Sequence, residues 1–448
     1  MHAHRAGAPP PSPGTRGARR RAGTGGRGGG GMLSSERRVA VADLEKGMYV
    51  CRLDRPWEGT PFLLQGLHVE TDEDVALLSH WCAHVYVDVA QGAAPSGPAL
   101  QTLARTPAGG APARGRRYDD AEISSLQGAA AYPEQAAFES ELPEAQAAHA
   151  QVSAFADRML DDMREGRPVA IEDVRTAVEP MVRSLVRNAD AFLWLDALRV
   201  RGDYEYRHAL SCSALAVAFG RHVGLPQDLL VDMASGALLL DVGKLRIDPG
   251  LLTDRDEYSA QARIQMQAHV AHGLDIVDAG GLVPAHVRAM IGTHHERIDG
   301  TGYPHRLEGD AIPLLGRVAA VIDAYDAMTS ERPHRRAVAP HVALQTLYRE
   351  RDRQFAAEVV EQFMQCMGVY PNGALVELDT GEVAIVTAQN AARRLQPRVM
   401  VLTGPDKRPL AEFHSLDLMV RAHGDDPVRI IGALAPGAYG LDPVELFL

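Results

Sequence analysis

His294-His295-Glu296-Arg297-Ile298-Asp299-Gly300-Thr301-Gly302-Tyr303-Pro304 is the stretch from which the rest of this 448-residue chain can be read. Two adjacent imidazoles followed by an acidic, glycine-punctuated turn are costly to place on a purely structural surface. Just upstream, Val287, Met290, Ile291 and His294 fall at i, i+3, i+4 and i+7, so the apolar face of a helix runs into the first imidazole. The sequence therefore delivers His294 inward.

Similar endings recur on both sides. His208, in Tyr204-Glu205-Tyr206-Arg207-His208, leads into a helix with Leu215 and Phe219 on its apolar side. Asp241 closes the run Gly236-Ala237-Leu238-Leu239-Leu240, and Lys244 follows three residues later on the same helical face. A buried carboxylate needs a cation, which a metal together with Lys244 supplies; a plain Asp–Lys ion pair is the alternative. His269 and His272 stand one turn apart, a spacing that permits joint ligation and is also common among exposed histidines. Asp323 and Asp326 share a helical face after Val321-Ile322. Helix after helix, an acid or an imidazole ends an apolar stripe, as metal ligation from inside a helical bundle requires.

On these residues the chain resembles the HD-GYP family, a branch of the HD-type metal-dependent phosphohydrolases. The matching pieces are His208, Leu239-Leu240-Asp241-Val242-Gly243-Lys244, His269, His294-His295-Glu296, Asp299-Gly300-Thr301-Gly302-Tyr303-Pro304, Arg317, Asp323 with Asp326, and Arg332-Pro333-His334-Arg335. The resemblance runs from about residue 200 to 345, and residues 39–89 resemble a small domain frequently found ahead of such modules. It implies a mainly α fold, an all-helical HD-type bundle around a two- or three-metal centre. It also implies hydrolysis of the bacterial second messenger cyclic di-GMP to linear pGpG or GMP. Two cations about 3.5–4 Å apart lower the pKa of a shared water and absorb charge on the phosphoryl oxygens. Carried over by position, Asp241 bridges the metals, His269, His294 and His295 hold one, and His208 with Asp323 holds the other, with Fe or Mn as the expected ions. Lys244, Arg332 and Arg335 match positions that meet substrate phosphate. Tyr303 matches the loop beside the substrate, where its ring can stack on guanine.

Two positions depart from the family pattern. The family's namesake pair is His-Asp, and here the His position is Leu240, so one metal site is complete and the second lacks an imidazole. Tyr204 stands four residues before His208, where three-metal members carry a glutamate, which argues against a third metal. Two functions follow: a phosphodiesterase with an altered second metal site, or a non-catalytic module that binds cyclic di-GMP, or a protein partner through the GYP loop.

The remaining chain frames this region. Residues 1–31 hold six arginines and no acid, so the formal charge of -12 leaves -18 (-12 minus +6) on the rest, which argues against nucleic-acid binding by the folded part. Residues 1–38 read as a disordered basic tail, in which Arg19-Arg20-Arg21 is first a solvated stretch and only as the lesser alternative a contact for nucleic acid or anionic lipid, with Met32 as an alternative start. Residues 39–89 read as a small α+β domain, in which Trp57, Pro61 and Phe62 form either a ligand surface or core. An Ala/Gly/Pro-rich linker over 90–134 and a helical connector over 135–200 follow. In the connector Val174, Val178, Met181, Val182 and Leu185 form a packing stripe that includes a candidate homodimer contact, and Pro180 predicts a kink or break. The HD-GYP bundle spans 201–350, and 351–448 reads as a helix plus a β-rich extension with a hairpin at Asp379-Thr380-Gly381 and a strand at 398–402. Cys51, Cys82, Cys212 and Cys366 are too scattered for a disulfide framework or thiolate site. With no apolar run of membrane length, the expectation is a cytoplasmic protein.

Overall fold

The apolar stripes condense into helices, and the alternating runs into two separate antiparallel sheets. The computed structural model describes residues 36–53, 67–69, 75–76, 78–79, 82, 84–88, 126, 128–198, 204–253, 259–332, 336–390, 393–421, 427–441 and 446. Arg19, Arg20, Arg21, Trp57, Pro61, Phe62 and Arg335 lie outside the described residues.

The N-terminal unit is built on β1 (Glu36–Ala40), β2 (Tyr49–Leu53), β3 (Leu67–His68) and β4 (His84–Asp88), in the order β1-β4-β2-β3. Val39 faces Val85 across the first pair. The period-2 alternation of Val85 and Val87 carries both inward against Met48, Val50 and Leu78. Strand β1 starts at Glu36, three residues inside the stretch expected to be a disordered tail. Its first residues are polar and gave no strand signal, because an edge strand is held by backbone pairing to β4.

The second compact unit begins after residue 108. It contains α1 (Phe138–Arg164), α2 (Ile171–Arg187), α3 (Ala189–Leu198), α4 (Tyr204–His222) and α5 (Gln227–Leu238). A 3-10 turn (Val242–Arg246) leads to α6 (Pro249–Thr253), α7 (Ala260–Gln267), α8 (His269–Ala279) and α9 (Ala285–Thr293). The helical series closes with α10 (Leu314–Thr329), α11 (Pro340–Arg349) and α12 (Ala357–Met367). Helices α4 and α10 form the centre, and nearly every residue from Leu210 to Gly220 and from Leu314 to Ile322 is buried. Phe363 of α12 seals them, with its ring 6.4 Å from Phe219 and 5.1 Å from Tyr325. Among the described residues no helix is long and apolar enough to cross a membrane.

Two expectations meet a different outcome here. Helix α2 runs through Pro180 without a break. Its apolar face, with Val178, Met181, Val182 and Leu185 fully buried, gains more from packing than the proline's missing hydrogen bond loses. The last part of the presumed linker is fastened to the bundle: Gly128 N–H donates to Val223 O at 2.8 Å, and Tyr132 Oη–H to Leu225 O at 2.6 Å.

The C-terminal extension is a five-stranded antiparallel sheet, β8-β7-β6-β5-β9. It comprises β5 (Leu375–Leu378), β6 (Val383–Ala388), β7 (Arg398–Thr403), β8 (Pro409–Asp417) and β9 (Ile430–Ala433), with a short helix α13 (Leu418–Arg421) after β8. The Asp379–Gly381 turn joins β5 to β6, with Gly381 at φ 85°. The sheet is tied to α3 where Asn372 Nδ2 donates to the Asp190 carboxylate at 2.8 Å.

Candidate metal centre

Three helix ends, one turn and the buried face of α10 bring the titratable groups to one point. Asp241 sits where α5 gives way to the 3-10 turn, and Gly243 lets that turn lie directly on α8. A side chain at Gly243 would put its Cβ 1.8 Å from His269 O, so no larger residue fits there. His269 opens α8, His294 follows the last turn of α9, and Asp323 lies on the buried face of α10.

The two deepest imidazoles each spend Nδ1 on a backbone carbonyl. His269 Nδ1 donates to Met266 O at 2.7 Å and His294 Nδ1 to Ile291 O at 2.8 Å, which leaves each Nε2 lone pair pointing inward. Burial, reinforced by the neighbouring His269, brings the His294 pKa down to about 4. Burial and His294 likewise hold His295 well below the usual imidazole value. His269 Nε2 lies 3.3 Å from Asp241 Oδ1, and His294 Nε2 lies 3.9 Å from it. All three atoms are buried and without a hydrogen-bond partner. Three orphaned polar atoms aimed at one another are unfavourable unless a cation lies among them. With His295 they form a four-donor group whose ligand atoms lie within 4.8 Å of one another. The donor set fits a divalent metal.

The second group is His208, Asp241 and Asp323, also within 4.8 Å. His208 Nε2 is 3.1 Å from Asp323 Oδ1 and 3.4 Å from Asp241 Oδ2. On its other side Nδ1 donates to Asp326 Oδ2 at 2.6 Å. Burial opposes charge on His208, but the Cys212 sulfur and the carboxylates of Asp241, Asp323 and Asp326 raise its pKa well above the ordinary value. Cys212 lies one turn along α4, its Sγ 3.7 Å from His208 Nδ1, and burial pushes its thiol up to about 12. Because Asp326 occupies the Nδ1 side, Asp326 and Cys212 support the orientation of His208 and add no ligand to the metal side. Leu240 is 1 % exposed and belongs to the main apolar core.

The surrounding charges match an anionic occupant. Burial works against charge on both partners, yet Lys244 Nζ donates to Asp241 Oδ2 at 2.6 Å, which keeps Lys244 protonated and helps hold Asp241 well below the usual carboxylate range. A cavity of about 420 Å³ opens beside the centre, lined on the metal side by Asp241, Lys244, His295 and Asp323, and by Arg332. Tyr204 stacks on His208 (ring centroids 5.5 Å apart, 17° between planes) and carries the Arg332 guanidinium 4.6 Å over its ring. Tyr303 is not among the lining residues: its ring packs on His295 at 4.7 Å. His272, one turn beyond His269, belongs to no donor group.

Glu296 explains the acidic residue after the two histidines. It is 1 % exposed, and its two carboxylate oxygens accept from His305 N (2.7 Å) and Leu307 N (3.0 Å), folding the glycine-rich loop back onto the ligand pair. Gly302 is needed for that closure, since a Cβ there would meet the Glu296 backbone at 2.5 Å. The sequence carries no separate sign of the far cavity wall, formed by Arg297, Thr346, Leu347, Glu350, Gln354 and Phe355.

A buried His/Asp constellation at the helix ends of an α bundle, beside a cationic cavity, defines an HD-type phosphohydrolase centre. Comparison with known families agrees: residues 193–359 match the HD domain, and residues 36–174 match a domain of unknown function, DUF3391. A cyclic di-GMP phosphodiesterase of Pseudomonas aeruginosa is 31% identical over 379 residues, covering 82% of this chain and 84% of that protein. A 3'3'-cGAMP-specific phosphodiesterase of Vibrio cholerae is 30% identical over 194 residues, covering 43% of this chain and 35% of its own length. Among solved structures, an HDG"Y"P protein from Bdellovibrio bacteriovorus covers 73% of this chain and 98% of its own, at 15% identity and a TM-score of 0.42. The chain belongs to the HD-GYP family, with a DUF3391 domain ahead of its HD domain.

Proposed function

We propose that this protein is a divalent-metal-dependent phosphodiesterase that hydrolyses cyclic di-GMP to linear pGpG or GMP. The observation that carries the reading is the convergence of Asp241 Oδ1, His269 Nε2 and His294 Nε2, buried and unpartnered, at the edge of a cavity lined by Lys244 and Arg332. His269, His294, His295 and Asp241 would hold one ion, and His208, Asp241 and Asp323 would hold a second. Fe or Mn suits this mixed imidazole and carboxylate set. Bound cations supply an activated water and neutralise charge on the phosphoryl oxygens.

The chain's own groups account for the rest. Lys244 is a fixed positive charge beside Asp241, placed to meet a phosphate oxygen. Arg332, steadied on the Tyr204 ring, presents a second cation from the segment that follows α10, and Arg335 is expected to add to it. Asp326 orients His208 through Nδ1. Tyr303 holds His295 from behind, so its effect on substrate is exerted through that ligand.

Leu240 motivates a second reading, a module that binds the dinucleotide without hydrolysing it. Against this, three protein ligands and an open position suffice in many catalytic metal sites, and His208, Asp241 and Asp323 still provide three. Purified full-length protein incubated with cyclic di-GMP and Mn²⁺ or Fe²⁺ decides between them by chromatography of the product. Linear product that disappears in His294→Ala supports the enzyme. Metal-loaded protein that binds the nucleotide tightly and releases no linear product overturns it. A cytoplasmic setting suits the proposed substrate. The expectations of a homodimer and of a protein partner at the GYP loop are carried by no feature of the described residues.

A further inference from the structure

The far wall of the 420 Å³ cavity is built by a loop outside the metal-binding motifs. Glu350 caps α11 and its backbone carbonyl accepts from Gln354 N (2.8 Å) and Phe355 N (3.2 Å), curling 350–355 into a tight loop. That loop is fastened to the stretch after the two histidines, because Ile298 N donates to Gln354 O at 3.1 Å. The fastening sets the Arg297 guanidinium 4.9 Å over the Phe355 ring. Arg297 Nη1 donates to His294 O (3.2 Å) and Glu296 O (2.9 Å), so the side chain is fixed from the metal side as well. Its Nε and Nη2 have no partner among the described residues.

Glu350 is arranged in a complementary way. Its Oε2 accepts from Gln354 Nε2 at 2.9 Å and Arg353 at 2.7 Å, which fixes the carboxylate. Its Oε1 has no partner among the described residues. The cavity that holds Lys244 and Arg332 therefore also presents a held donor fork, seated on Phe355, and a held acceptor.

We propose that Arg297 and Glu350 select guanine: Arg297 donates to O6 and N7 of the base, and Glu350 Oε1 accepts from its N1–H and exocyclic amine. The base preference rests on the phosphodiesterase reading only for the identity of the backbone that carries it. Guanine offers two acceptors on its O6/N7 edge and two donors on its N1/N2 edge, which matches both groups. Adenine turns an N6 donor toward Arg297 and an N1 lone pair toward Glu350, leaving one fixed donor unpaired and setting a carboxylate against an acceptor. The loop's Gln354 and Arg353 are positioning residues for Glu350.

The test is equilibrium binding of cyclic di-GMP and cyclic di-AMP to the full-length protein by calorimetry, with Glu350→Gln and Arg297→Lys alongside. The parent should prefer cyclic di-GMP, and each substitution should lower that preference by about 10- to 100-fold. Glu350→Gln should weaken cyclic di-GMP while leaving cyclic di-AMP unchanged or tighter, and the metal content per chain should match the parent, which separates a lost contact from a misfolded chain. If Glu350→Gln does not fold, Arg297→Lys alone decides. Equal affinity of the parent for the two dinucleotides, or an unchanged preference in a folded variant, overturns the assignment. Preferential binding of cyclic di-GMP without hydrolysis would remove the phosphodiesterase reading and leave the base assignment standing. Hydrolysis with no base preference would do the reverse.

Discussion

Replacing Leu240 by histidine separates the two functional readings most directly. Leu240 is 1 % exposed within the main core. A metal-free Leu240→His protein gives up leucine burial worth about 1.5–3 kcal/mol and leaves a buried imidazole that costs about 1–3 kcal/mol until it finds a partner. Because the imidazole recovers part of the buried area, the net loss without metal should be about 2–4 kcal/mol. Metal that binds only the folded state returns about 2.7 kcal/mol at 100 times its dissociation constant. If the new imidazole joins His208, Asp241 and Asp323, the second ion should bind at least tenfold tighter than in the parent, as expected for a gained ligand. Melting temperature measured in chelator and in saturating Mn²⁺, with metal per chain by mass spectrometry, reads both quantities. The metal-dependent rise in melting temperature should be clearly larger in the variant. An equal rise in both proteins, with equal metal content, refutes the placing of Leu240 at a ligand position.

Other perturbations bear on separate parts of the site. The His294 pKa of about 4 in the folded chain lies below its ordinary value of about 6.5, so between these two the unfolded chain binds more protons. The metal-free protein should therefore lose stability as pH falls from 6.5 to 4, with His294 contributing no further change below 4. Denaturant titrations in chelator should show this slope reduced in His294→Gln; an unchanged slope would count against a neutral buried imidazole. Asp326→Asn should weaken the second ion about 10–100-fold with little change in the first, as metal titrations would show. Gly243→Ala forces the 3-10 turn off α8, and should destabilise the protein by about 1–3 kcal/mol and lower metal retention, read by chemical denaturation and metal content. Removing metal with a chelator should lower the melting temperature of the parent but change that of an Asp241→Asn, His294→Gln double variant much less.

What the sequence makes legible follows from where the physics is local. His208, Asp241, His294 and Asp323 each end or interrupt an apolar stripe, and a charged or basic group at the end of such a stripe has few placements other than a shared interior point. The hairpin at Asp379–Gly381 is legible for the same reason, since Gly381 must take a positive φ and its flanks alternate. The cavity wall is not legible, because Arg297 and Glu350 meet only through a loop fastened by the Ile298–Gln354 hydrogen bond. Tyr303 reads as a substrate contact from its motif, and the packing of its ring on His295 is a contact that the motif does not announce. Strand β8 escapes sequence reading because most of its side chains are exposed and its pairing with β7 is a matter of backbone. Pro180 misleads in the opposite sense, a strong local signal outweighed by the packing of the helix that contains it.

Tyr204 gives the site a property that a ligand count does not express. One ring lies flat on His208 and on its other contact steadies the Arg332 guanidinium at 4.6 Å. A guanidinium stays charged across the physiological range and cannot be chelated. Arg332 therefore gives the cavity a positive charge that the chain encodes in its own sequence and that no bound ion has to supply. The protein's hold on an anionic substrate is correspondingly less dependent on the metal supply of the cell than its chemistry is, so binding and turnover can be starved independently.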